Sequence, residues 1–174
     1  MPPSDHSGPR RNFGTYAKME AGNVLFVPGL AYWLGQPKQP LEIFAFALSA
    51  FAAGGLLIVG ALYWHALDRR LRLRDRTTMD RALKFADAAQ RPMLVTTAAA
   101  AAGFAGALTI HGGRPAVIAA GVLTLLAALE YVNYYHRQLQ HFDNAADLKR
   151  LLTTWKPRRA HLARDLASYR RRER

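Results

Sequence analysis

Five residues near the end of one apolar stretch have the spacing of a single helical face. Glu130, Asn133, Tyr134, Arg137 and His141 recur at intervals of three and four, so on a helix they fall within about 100° of one another. They make one polar stripe, with a carboxylate at its apolar end. Such a stripe could take a polar headgroup, a proton or a metal. It could equally lock a bundle, with Arg137 and Tyr134 neutralising and hydrogen-bonding Glu130. His65 closes an earlier apolar run beside Tyr63 and Trp64 and could face the stripe from a second helix. His65 with His136 or His141 and Glu130 would offer donors for a metal, or two His for a haem. No HxxxH or ExxH spacing supports either, so no metal and no cofactor is expected. A Gly-rich phosphate loop, a nucleophile elbow, a metalloprotease helix and a carboxylate pair are all missing from the sequence. Enzyme is therefore the less favoured class.

Composition narrows the field further. Of 174 residues, 51% are hydrophobic, the net charge is +12, and there is no cysteine. Disulfides, thiolate metal sites and cysteine nucleophiles are excluded. The apolar residues fall in blocks with the charges between them, the pattern of a polytopic membrane protein rather than of an ordinary soluble core. The Ala- and Arg-rich composition suggests a bacterial source. The polar N-terminus, with no apolar core ahead of a small-residue cleavage site, does not read as a secretory signal peptide.

The elements that must position the stripe follow from those blocks. The expectation is an all-α, polytopic membrane bundle with a basic helical tail. Residues 1–20, with Pro2, Pro3, Gly8 and Pro9, read as a mobile arm. Residues 21–35 are apolar but short, about 22 Å as a helix against a hydrocarbon core of roughly 30 Å. Pro28-Gly29 interrupts them, which favours an interfacial or re-entrant segment over a kinked fourth pass. Three stretches read as transmembrane helices: 41–67, 93–110 and 115–138. The Ala-, Gly- and Thr-rich 93–110 is expected at the centre, where small side chains allow close approach. Between the first two lies a basic loop, 68–92. Thr77 with Asp80 suggests a helix start there, and Met79, Leu83 and Ala86 suggest a short surface helix ending at Pro92. His111-Gly-Gly-Arg114 is a turn, and Pro115 is placed as the first residue of the next helix. The bundle thus spans 21–140. Residues 141–174 should form basic amphipathic helices, the last bearing Leu162, Leu166 and Tyr169.

Charge then sets orientation. Lys and Arg number eight in 68–92, one in 111–114 and eleven from 136 onward. The positive-inside rule places the loop and tail in the cytoplasm of a bacterial inner membrane and the turn outside. Arg69, Arg70, Arg72, Arg74, Arg158 and Arg159 are candidates for anionic lipid headgroups, at about 1 kcal/mol per basic residue near the surface. Nucleic acid is not an expected partner, because no recognition fold accompanies the charge.

The favoured function is a small integral membrane accessory or scaffolding subunit, self-associated or part of a larger complex. Its basic face would meet anionic lipid or a protein partner. The alternative is a small membrane enzyme or carrier for a lipid or isoprenoid-like molecule, working at the polar site around Glu130.

Overall fold

The computed structural model describes residues 13–137 and 159–173. Among them there is no strand, and five helices carry the fold: α1 (Phe13–Gly35), α2 (Pro40–Leu73), α3 (Arg76–His111), α4 (Pro115–Tyr135) and α5 (His161–Arg172). Three of them, α2, α3 and α4, are long and apolar enough to cross a membrane.

The four long helices run up and down. Phe13 stacks on Trp64, with ring centroids 5.7 Å apart, and Tyr32 meets Phe46 edge-on, so α1 lies antiparallel along α2. The C-terminal Gly35 of α1 abuts Ala116 and Ala119 at the start of α4. Segment 21–35 is thus no re-entrant dip. It is the second half of a 23-residue helix that runs beside α2, and residues 13–20 belong to that helix rather than to an arm. Pro28 removes one backbone donor and frees the carbonyl of Val24. That carbonyl faces Gly54 of α2, where an added Cβ would sit 3.8 Å from it. Packing against a side-chain-free surface lets the helix continue through the proline. Along its outer face α1 exposes Leu25 (80%), Phe26 and Trp33 (68%), an apolar surface suited to lipid.

The centre of the bundle is α2, not α3. Half of the most apolar 18-residue window of α2 is buried, against 44% for α4 and 11% for α3. Ala45, Ala52, Ala53 and Leu56 are fully enclosed. Ser49 holds α2 to α4 by a 2.8 Å bond to Thr124 and also donates to the carbonyl of Ala45. On α3, Thr97, Ala100 and Ala107 face inward, while Ala98, Ala99, Ala101, Ala102 and Ala105 are exposed. Small side chains permit close approach from any side, but within one chain α3 uses only the faces that meet α2, α4 and α5.

Residues 68–92 do not form a loop with a surface helix. At about 1.5 Å per residue, α2 and α3 are each about 50 Å long, some 20 Å more than a hydrocarbon core. The excess projects as a helical hairpin. Its corner is Arg74, whose φ of 56° is left-handed, followed by Asp75. Asp75, not Thr77 with Asp80, caps α3: it accepts from the Thr78 amide at 3.0 Å and the Thr78 hydroxyl at 2.6 Å, and Arg69 reaches it at 2.9 Å. Those Thr78 bonds, with Arg69 beside them, pull the Asp75 carboxyl down to a pKa of about 2. Pro92 does not end the helix, because Met79, Leu83, Ala86 and Met93 form one buried face that spans it.

The short helix α5 clamps the hairpin. Leu162 and Leu166 are buried there. Tyr63 of α2 donates to Asp165 at 3.0 Å, and Arg172 reaches Asp80 at 3.0 Å. At the opposite end of the bundle, Glu42 is 4% exposed and fully engaged. It accepts from the amides of Lys38 and Gln39 at 3.1 Å each and pairs with Arg114 at 3.2 Å. One carboxylate thereby ties both turns of that end together. Gly112, with φ of 65°, makes the turn from α3, and Pro115 starts α4.

Candidate functional site

Two carboxylates from different helices converge on one phenol. Glu20 lies 15 residues before the end of α1, and Glu130 lies 15 residues after the start of α4. Both are about 22 Å from the turn end of the bundle, so antiparallel packing brings them to one level. Tyr134, one helical turn beyond Glu130, is buried, and its hydroxyl donates to Glu20 Oε1 at 2.8 Å. The Glu130 carboxylate acts on the same hydroxyl. Asn133 Nδ2 donates to Glu130 Oε2 at 3.5 Å, a long contact.

The third wall is α2. The Tyr134 ring lies over Gly60, where a Cβ would be 2.1 Å from its hydroxyl oxygen and 2.5 Å from Cζ. Only glycine leaves room for the phenol to reach across to α1. One atom of the cluster stands apart: Glu20 Oε2 is buried without a hydrogen-bond partner among the described residues. Two carboxylates beside a shared hydroxyl, at the edge of an apolar bundle, require neutralisation. The unpartnered oxygen is where a proton, or a donor group from outside the bundle, would be accepted.

The other stripe residues are dispersed. The helix of α4 stops at Tyr135, because the amides of His136 and Arg137 both bond to the carbonyl of Val132, at 3.0 and 2.8 Å. Arg137 therefore leaves the face of Glu130. It is exposed and pairs through its backbone with Arg159 in an isolated bridge. The helix expected to run to 138 ends at Tyr135, and residues 138–140 of the expected span lie outside the described residues. His65 is exposed on α2 and has no contact with Glu130. His141 and Arg158 lie outside the described residues, as does the first tail helix. Among the described residues no three His, Asp or Glu side chains converge on a metal-sized site.

Of the headgroup candidates, Arg69 is paired with Asp75 and Arg72 with Asp68, while Arg70, Arg74 and Arg159 are exposed. The four in α2 and its corner sit on the projecting hairpin rather than in a loop lying on the membrane.

Glu20 is the residue that sequence reasoning missed. Its signal was its place immediately before the apolar run 21–35. A carboxylate there matches the depth of Glu130 once that run is taken as a full helix. Comparison of the chain with protein-family models, with curated proteins and with solved structures returns no match.

Proposed function

We propose that this protein is an integral accessory or scaffolding subunit of a bacterial inner membrane. Its four long helices cross the bilayer, and the hairpin, α5 and both chain termini lie in the cytoplasm. The observation that carries this reading is the exposure of α3. A helix of small residues offers lipid little side-chain contact, and such faces normally serve helix–helix packing. One chain leaves that face uncovered, so a second copy or another membrane subunit is the occupant we assign to it. The basic hairpin and its clamp give the subunit a cytoplasmic face for anionic lipid or a protein partner, in keeping with the bias of Lys and Arg toward that end. Gentle purification, with identification of what accompanies the chain and the mass of the particle, tests this. Stable partners or self-association support it. A lone monomer refutes it.

A second reading is favoured by one observation, the unpartnered Glu20 Oε2 in a cluster with Glu130 and Tyr134. In that reading the protein is a small membrane enzyme or carrier acting on a lipid or isoprenoid-like molecule. Glu20→Gln and Glu130→Gln separate the two. Loss of a transport or turnover activity in a normally assembled protein would favour the second reading, and unchanged cellular function in both variants would favour the first.

A further inference from the structure

A second polar feature lies outside the Glu20–Tyr134–Glu130 cluster. Between α3, α4 and α5 is a cleft of about 540 Å³ lined by Asp87, Gln90, Arg91, Leu94, Tyr131 and Arg170, within the size range of small-molecule sites. Its polar groups are unequally used. Arg170 is anchored by Asp87 and Gln90, each at 2.6 Å, through Nε and Nη2, and its Nη1 makes no hydrogen bond among the described residues. Arg91 is exposed and has no ion pair among the described residues. The Tyr131 hydroxyl likewise has no hydrogen bond among them. Against one carboxylate that is already paired, the cleft presents two guanidinium groups and a phenol.

Its level in the bundle is as informative as its charge. Counting back from Gly112, a hydrocarbon core of roughly 30 Å reaches residue 92 at about 1.5 Å per residue. Arg91 is the last charged residue of α3 before His111, and Leu94 and Val95, three and four residues further on, are exposed apolar side chains. Tyr131 lies about 24 Å along α4 from Pro115, near the same boundary. The cleft thus has cationic donors above and an apolar wall below. That is the polarity of a phospholipid lying against a membrane helix.

We propose that this cleft binds the phosphate diester of an anionic phospholipid. Arg91 and the free nitrogen of Arg170 hold the phosphate, the Tyr131 hydroxyl donates a third bond, and the acyl chains run over Leu94 and Val95. The proposal rests on the membrane placement given under Proposed function and names which lipid-facing groups act.

The test uses the full chain in a mild detergent, with thermal unfolding followed on addition of dihexanoyl phosphatidylglycerol, dihexanoyl phosphatidylcholine or inorganic phosphate. The variants are Arg91→Ala, Tyr131→Phe and, as a charge-matched control, Arg81→Ala, an exposed α3 arginine away from the cleft. Phosphatidylglycerol should stabilise the parent best. Its apparent affinity should fall about fivefold in Arg91→Ala, the usual contribution of one interfacial basic residue, and fall measurably in Tyr131→Phe. Arg81→Ala should match the parent. Equal effects of Arg91→Ala and Arg81→Ala would overturn the cleft while leaving a diffuse basic lipid face intact. Equal protection by inorganic phosphate would show a free-anion site and overturn the lipid. No preference of the parent for the anionic lipid would refute the lipid-facing role itself, and the cleft with it.

Discussion

The hydroxyl of Tyr134 occupies the space that a side chain on Gly60 would need: a Cβ on residue 60 would lie 2.1 Å from it. Neither partner can retreat easily, since the phenol is buried and bonded to Glu20 and the glycine is in the middle of α2. Gly60→Ala should therefore destabilise the bundle by about 1–3 kcal/mol, the usual range for overpacking, and Gly60→Val by more. Tyr134→Phe in the Gly60→Ala background should recover only part of the loss, because Cζ would still be 2.5 Å from the new Cβ. Thermal unfolding in detergent measures this. A Gly60→Ala protein as stable as the parent would mean that the phenol does not cross α2 here.

The corner between α2 and α3 makes a prediction about pH. Hydrogen bonds from the Thr78 hydroxyl and amide, then the Arg69 charge, lower the folded carboxyl of Asp75 to about 2, below the ordinary Asp value of about 3.9. A group whose pKa is depressed on folding adds stability above its unfolded pKa, and that stability is lost as pH falls through the folded one. Asp75→Asn should melt below the parent at pH 7, and the difference should shrink from about pH 4 and disappear only as pH falls below about 2. A difference independent of pH across that window would contradict the assigned bonding.

Topology can be tested cleanly because the chain contains no cysteine. If α1 crosses with the other three helices, single cysteines at Thr15 and Arg74 label from the cytoplasmic side, and one at Gly113 labels from the opposite side. All three positions are exposed. Thr15 and Gly113 reacting from the same side would place α1 on one surface of the membrane and remove the fourth pass.

Much of the architecture was legible in the sequence because its causes are local. Three apolar blocks gave the three candidate spans, and Gly112, Gly113 and Pro115 gave the turn between α3 and α4. What was not legible depended on partners. Pro28 and Pro92 stop isolated helices, but each removes only one hydrogen bond, and the packing of Val24 on Gly54 and of Met79 to Met93 on their neighbours carries the helices through. The stripe below Glu130 assumed that α4 continues to His141, whereas the chain turns at His136. The partner of Tyr134 was invisible because Glu20 is 114 residues away in sequence. The place of α3 was misjudged for a related reason. An alanine-rich face says that something can pack there, not whether that something is in the same chain.

That last point carries the functional account, and it has a direct measurement. Ala101 is exposed on α3, and a Cβ at Gly106 would meet nothing within 4 Å in the single chain, so neither leucine substitution should disturb one bundle. The particle mass of the parent and of the Ala101→Leu, Gly106→Leu double variant should be determined by light scattering, with the detergent contribution subtracted. The account predicts a parent particle heavier than the 19.3 kDa of one chain, and a double variant that collapses to one chain with its melting temperature nearly unchanged. A parent that is already a lone 19.3 kDa chain, or a double variant that assembles as the parent does, would contradict it.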